Sequence, residues 1–294
     1  MENGIKILYC ADVHGDLKAL EMLAAAADKF KPYVIICNGD LAGSVLSDEE
    51  RNTMLEYNNQ CALLQKGEIK KIDEQLEYKV KAISGTNNPN RSKMYKAIKD
   101  ALEHVALEAK CPFYFLSGEH DTLKQKGGVL SDYLLDNKVK KLFRHKGTFA
   151  GVPGGLVISG QEPDIATEYD EKKAFQTLME KDPDIAVVHM PPSGVFEEVP
   201  GSRELADYIN EQAPNLVLCA HTHNYGVKQW DSPTNRNTVV VNPGNLGAAY
   251  GSEGNTFAMI ELDELNYVKA VQILKQSPVG EDGCNLEVLA EFKV

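Results

Sequence analysis

Apolar residues occur along this chain in short unbroken runs: Ile5–Cys10, Tyr33–Cys37, Pro112–Leu116, Leu156–Ser159, Ile185–Val188, Leu216–Cys219 and Thr238–Val241. Runs of this length, apolar at consecutive positions, are what strands covered on both faces present. Between them, Leu17–Phe30 and Ala166–Glu180 place apolar residues at helical spacing. The alternation predicts an α/β protein with at least one largely parallel sheet. From Phe257 onward the pattern reads as further strands.

The segment 47–110 differs, because it contains no strand signal and opens on an S-x-x-E capping box, Ser47 with Glu50. Its apolar positions fall at Met54, Tyr57, Cys61 and Leu64, then at Ile69, Ile72, Leu76, Val80 and Ile83. After the turn-rich stretch Ser84 to Asn90 they resume at Met94, Ile98, Leu102 and Val105. These stripes predict helices packed as a hairpin, a helical insertion at 47–110 within a single domain spanning 1–294. The insertion is expected to stand outside the body, where it would shape access to a site or make the contact of a homo-oligomer. Asp48 to Lys110 holds 11 acidic and 11 basic side chains, so the net charge of −12 sits wholly in the rest of the chain.

Composition narrows the class. With 294 residues, 43% hydrophobic and 25% charged, the chain has the make-up of a packed globular protein and excludes disorder, collagen and coiled-coil fibres. Six scattered cysteines without a CxxC pair read as reduced thiols, against a disulfide framework or zinc ribbon. No stretch approaches the ~20 apolar residues of a membrane span, and Met1 leads directly into a strand-like run without a leader pattern. A cytoplasmic protein with no membrane partner is expected. The −12 charge repels polyphosphate backbones, so nucleic acid is disfavoured as a partner.

The chemistry lies in the residues just after the strands. Ile5–Cys10 is followed by Asp12, His14 and Asp16; Tyr33–Cys37 by Gly39-Asp40; Pro112–Leu116 by Gly118-Glu119-His120-Asp121; Ile185–Val188 by His189; and Leu216–Cys219 by His221 and His223. Ligands of open α/β sheets bind at the carboxyl ends of strands, where these clusters would converge. Singly, each cluster is what an ordinary turn or a core histidine looks like. Together they place five of the seven histidines and several carboxylates in one region, a costly arrangement without cations to pair them. Imidazole and carboxylate donors without thiolate favour Zn, Mn or Fe. Their number exceeds one tetrahedral site, which implies two ions.

The order D-x-H, G-D, G-E-H-D, H and A-H-x-H between Asp12 and His223 resembles the calcineurin-like metallophosphoesterase superfamily. The resemblance implies a four-layer α/β/β/α sandwich of two mixed sheets and two divalent metal ions. It also implies hydrolysis of phosphate esters by attack of a metal-bridging hydroxide. By the same resemblance Asp12, His14 and His223 would hold one ion, Asp40 would bridge, and Glu119, His189 and His221 would hold the other. His120 would protonate the leaving oxygen, with Asp121 orienting it. The runs His189 to Gly194 and Val241 to Asn245 are similar to a compact prokaryotic branch related to cyclic-nucleotide phosphodiesterases. Gly39 to Gly43 lacks the arginine that the protein Ser/Thr phosphatase branch carries after its bridging aspartate, which disfavours a phosphoprotein substrate.

Two positions depart from the family pattern. Ala220 replaces a glycine, which matters only if that residue needs positive φ. Glu119 replaces an asparagine, so a neutral donor becomes an anionic one and the centre loses one unit of positive charge. A neutral centre should bind metals more tightly, acidify its water less, and prefer a singly charged diester over a doubly charged monoester. The expected activity is therefore hydrolysis of a small phosphodiester, or of a phosphomonoester. A catalytically impaired metal-binding scaffold of the same fold is the competing reading, and a nuclease of the superfamily a third. Outside the clusters, His104 and His145 read as structural or solvated, Asp16 as a helix N-cap, and Trp230 as packing. No G-x-S-x-G elbow supports a serine nucleophile.

Overall fold

Among the described residues the unbroken apolar runs become strands whose alternate side chains enter two different cores. In β1 (Ile5–Ala11) and β2 (Val34–Asn38), Leu8, Cys10, Ile35 and Cys37 pack with helices, while Ile7, Tyr9, Val34 and Ile36 face a second sheet. The second sheet repeats the device in β6 (Ile185–Val188) and β7 (Leu216–Leu218). There Ala186, Val188 and Val217 face helices, and Ile185, Val187, Leu216 and Leu218 face the first sheet. Period-2 alternation inside a continuous apolar run thus builds both sides of a sheet at once. The computed structural model describes residues 5–41, 67–84, 89–118, 133–135, 138–141, 148–152, 182–196, 201–234, 236–248, 254–277 and 285–294. It also describes positions 53, 56, 57, 60, 63, 64, 121, 175 and 178–180.

The first sheet adds β3 (Phe113–Leu116), β10 (Thr256–Leu262), β11 (Val268–Gln276) and β12 (Leu286–Lys293), in the order β12-β11-β10-β1-β2-β3. β1, β2 and β3 are parallel, and β10 to β12 form an antiparallel extension, the further strands expected after Phe257. The second sheet adds β4 (Lys138–Lys141), β5 (Thr148–Val152), β8 (Tyr225–Asp231) and β9 (Asn237–Pro243), in the order β4-β5-β6-β7-β9-β8. Its core strands β5, β6, β7 and β9 are parallel, with β4 and β8 antiparallel at the two edges. Both sheets are mixed, as expected. The run Leu156–Ser159, most of Ala166–Glu180, the Ser47/Glu50 capping box and His145 lie outside the described residues.

Helices cover the outer faces. Helix α1 (Leu17–Phe30) has the predicted bounds, and the Asp16 side chain caps it by accepting from Ala19 N at 3.0 Å. Helix α2 (Glu74–Ser84) joins Tyr57 and Ile72 in a small separate cluster through Leu76 and Val80. Helix α3 (Pro89–Ala109) departs from the expectation of a hairpin standing outside the body. Its Tyr95, Ile98, Leu102, Val105 and Ala109 are buried against α1 and the outer face of the first sheet. The reason is physical: without α3 the outer faces of β2 and β3 would expose Cys37, Phe113 and Phe115, so the apolar stripe is spent on the sheet. Helix α4 (Arg203–Gln212) covers the second sheet with Leu205, Tyr208 and Ile209, together with Phe175 and Leu178. The layers run helix, sheet, sheet, helix. Among the described residues no helix is long and apolar enough to cross a membrane.

Candidate metal centre

Parallel strands of both sheets end on one edge, and the chain leaves each of them through a polar loop. Asp12 and His14 follow β1, Gly39 and Asp40 follow β2, His189 follows β6, and His221 and His223 follow β7. The loops are laced by main-chain hydrogen bonds. Asp12 N donates to Gly39 O at 3.2 Å, His14 N to Asp40 O at 2.7 Å, Gly39 N to Leu116 O at 2.8 Å and Ala220 N to His189 O at 2.8 Å. Within this lacing Asp12, His14, Asp40, His221 and His223 take φ between 48° and 70°. The left-handed region costs an L-residue roughly 1–2 kcal/mol, and such strain gathers at functional sites.

Two glycines permit the approach. A Cβ on Gly39, whose φ is +75°, would stand 2.6 Å from His189 Cε1 and closer still to Nδ1. A Cβ on Gly118 would stand 2.8 Å from the Asp40 carboxyl carbon and closer to its Oδ1 and amide nitrogen. These glycines precede the acidic residues of the G-D and G-E-H-D motifs, so the motif glycines are the ones the donors press against.

The donor atoms converge in two groups, Asp12 with His14 and His223, and Asp12 with Asp40 and His189. In each, one donor atom per residue lies within 4.8 Å of the others. His14 Nε2 and His223 Nε2 are 3.0 Å apart. Asp40 Oδ2 lies 3.9 Å from His14 Nε2 and 3.7 Å from His189 Nε2, and Asp12 Oδ1 lies 3.7 Å from His189 Nε2. Metal–ligand bonds of ~2.0–2.2 Å place neighbouring donors ~3–3.5 Å apart, so the set fits divalent cations. The donors are nitrogen and carboxylate oxygen, with Asp12, Asp40 and His189 buried. His189 turns Nδ1 to the Asn38 carbonyl at 3.2 Å, which favours the tautomer that leaves Nε2 as the donor atom. The His221 ring lies 5.5 Å from that of His189, outside the two close groups, and its backbone N donates to Asp12 Oδ2 at 3.2 Å.

Asp121 sits behind this edge. Its carboxylate accepts from Leu41 N at 3.1 Å, Gly118 N at 3.0 Å and the Tyr95 hydroxyl at 2.9 Å. It therefore ties the loops after β2 and β3 to α3. Burial, and next the charge of Asp40, raise its pKa above the usual carboxylate value, against the lowering effect of these hydrogen bonds. Tyr95 is not among the apolar-stripe positions of the sequence and carries no chemical signal there. Glu119 and His120 lie outside the described residues.

Comparison with known proteins bears on the fold and the family. One solved structure, TT1561 of Thermus thermophilus, is 20% identical over 89% of this chain and 95% of its own, with a TM-score of 0.53. Another, at 15% identity over 98% of this chain and 100% of its own, has a TM-score of 0.59. At these identities the likeness concerns the fold. No curated protein sequence matches the chain. The calcineurin-like phosphoesterase family profile matches residues 5–225, about three-quarters of the sequence, and the match takes in every cluster of donors. The chain belongs to the calcineurin-like phosphoesterase family.

Proposed function

We propose that this protein hydrolyses a small phosphoester, a diester in preference to a monoester, at a centre holding two divalent cations. Family membership and the donor groups support a metal-dependent phosphoric ester hydrolase. The observation that carries the finer reading is the pair of donor groups sharing Asp12, with Asp40 Oδ2 within 3.9 Å of a histidine from each group. In this reading Asp12, His14 and His223 would hold one cation, Asp40 would be shared between the two, and His189, His221 and Glu119 would complete the other. Cations bound there supply Lewis acidity toward the phosphoryl oxygens and lower the pKa of water. The chain's own groups do the rest: the glycine-backed loops fix the donors, His120 delivers a proton to the leaving oxygen, and Asp121 holds the loop that carries it. Buried free thiols at Cys10, Cys37 and Cys219 support residence in a reducing compartment.

The test is to strip the protein of metal, reload it with Mn²⁺, Zn²⁺ or Fe²⁺, and count bound ions by elemental analysis. Rates are then compared on matched aryl phosphodiester and phosphomonoester substrates. Two ions per chain and faster diester cleavage support the reading. At most one tightly held ion defeats the two-cation centre, and hydrolysis of neither substrate moves the protein to a metal-binding scaffold.

A further inference from the structure

Every donor group at the candidate centre draws on both sheets. Asp12, His14 and Asp40 come from the first sheet, and His189 and His223 from the second. What joins the sheets over most of their area is apolar packing among residues such as Ile7, Ile36, Val187, Leu218 and Val241. Such packing is strong but non-directional, and it tolerates small slides of one layer over another. Metal donors do not tolerate them, because bond lengths vary by only ~0.2 Å. Something directional must set the position of one sheet edge on the other.

Directly beneath the donor loops, two buried side chains do this. The Asn38 amide nitrogen shares its two protons among the Tyr9 hydroxyl at 2.7 Å, Val188 O at 2.8 Å and the more distant Leu218 O at 3.3 Å. The Tyr9 hydroxyl donates to Cys219 O at 2.7 Å. The directions are unambiguous, since the carbonyls can only accept and so require the amide NH₂ and the phenol proton opposite them. Burial raises the Tyr9 pKa well above that of an ordinary phenol, so the proton stays in place. Tyr9 and Asn38 belong to the first sheet, and all three carbonyls belong to the last residues of β6 and β7 or the residue after. The next residues along the chain are the donors: Val188 precedes His189, Cys219 stands two before His221, and Asn38 stands two before Asp40. Asn38 also offers its own carbonyl to His189 Nδ1 at 3.2 Å.

We propose that Tyr9 and Asn38 form an inter-sheet clasp that sets the register of the two strand edges, and that they are positioning residues for the cation site. The clasp rests on the two-cation reading above and adds to it the residues that make one site from two sheets. Hydrogen-bonded partners behind metal donors commonly matter 10- to 100-fold in metal affinity. A buried polar pair with a merely structural role would instead lower stability and leave affinity alone.

The experiment measures Mn²⁺ dissociation constants by calorimetry for the wild-type chain, Tyr9→Phe, Asn38→Ala and a control, Ser232→Ala. The control removes a half-buried hydrogen bond from Ser232, the residue after β8, to Asn210 O in α4, away from the donor loops. Metal-free melting temperatures are recorded for all four. The expected result is a 10- to 100-fold loss of Mn²⁺ affinity in Tyr9→Phe and Asn38→Ala, with Ser232→Ala within twofold of wild type. Should Asn38→Ala fail to fold, Tyr9→Phe decides alone, since it keeps the ring and the packing. Mn²⁺ affinity within twofold of wild type in Tyr9→Phe, with tight binding by the wild type, overturns the clasp and leaves the two-cation reading standing. A wild-type chain that binds no Mn²⁺, Zn²⁺ or Fe²⁺ overturns both.

Discussion

Gly118→Ala isolates the packing of the centre from its backbone strain. Gly118 does not occupy the left-handed region, so alanine brings no conformational conflict of its own. The added Cβ would stand 2.8 Å from the Asp40 carboxyl carbon, where ordinary contact begins at 3.4 Å. The carbon must therefore retreat by about 0.6 Å, and Oδ1, which is nearer, by on the order of 1 Å. Asp40 cannot rotate away freely, because its carbonyl accepts from His14 N and its neighbour Gly39 is held to Leu116 O. Misplacement of ~1 Å in a preorganised site costs ~10²-fold in rate, or about 2.7 kcal/mol. The assay is kcat/KM on an aryl phosphodiester at saturating Mn²⁺, with Mn²⁺ affinity by calorimetry. The comparison is Gly67→Ala, where φ is +72° and nothing lies within 4 Å, so it carries only backbone strain of roughly 1–2 kcal/mol. A Gly118→Ala chain within threefold of wild type in both kcat/KM and metal affinity refutes the claim that Asp40 is wedged in place by this glycine.

Three other measurements bear on the same edge. Tyr95→Phe removes the phenol that donates to Asp121 at 2.9 Å and should cost about 1–2 kcal/mol in urea unfolding; a change under ~0.3 kcal/mol would show that the tie to α3 is idle. Mn²⁺ at a hundred times its dissociation constant should add about 2.7 kcal/mol, a rise of roughly 5 °C or more in Tm by scanning fluorimetry, and an unchanged Tm speaks against cation binding to the folded state. Glu119→Asn should weaken the second cation and, at saturating Mn²⁺, shift kcat/KM toward monoesters about tenfold, since even a third of the ~4 kcal/mol between charges ~4 Å apart at effective ε ~20 suffices. An unchanged ratio with unchanged metal affinity would mean that Glu119 is not a donor.

Strands β1, β2, β6 and β7 and helix α1 are legible because each meets one demand alone: the strands are buried along nearly all their length, and α1 has a cap at Asp16, whereas the parallel strand β5 (Thr148–Val152) shows no unbroken apolar run. Strands β4 and β8 are not legible, since an edge strand such as Tyr225–Asp231 is partly exposed along its length and its sequence carries no unbroken apolar run. Helix α4 hides its stripe in three residues, Leu205, Tyr208 and Ile209, although Ser202 caps it through Leu205 N at 2.9 Å and could have marked its start. For α3 the stripe announces a helix correctly and misdirects its placement, because an apolar face does not say which surface it covers. The candidate donors after β1, β2, β6 and β7 stand out in the sequence since chain direction alone brings parallel strand ends to one edge. Their supports do not. Asn38 and Val188 are 150 residues apart, and Tyr95 and Asp121 belong to different elements, so nothing local in either sequence betrays the bond.

The backbone of the centre adds a step that neither motif nor packing supplies. Five of the candidate donors hold positive φ, while Gly39 does so beside them. Aspartate and histidine tolerate that region better than most residues, so their identity alone does not reveal it. The strain is maintained by the main-chain bonds between loops, His14 N to Asp40 O and Gly15 N to Leu41 O at 2.7 and 2.8 Å among them. Those bonds in turn hold buried carboxylates, Asp12, Asp40 and Asp121, close enough that the charge of Asp40 helps to raise the Asp121 pKa. A fold gains nothing from strained loops that crowd like charges together in its interior. The arrangement becomes favourable when positive charge is bound among the donors, so the same cations that do chemistry there would also stabilise the edge that holds them.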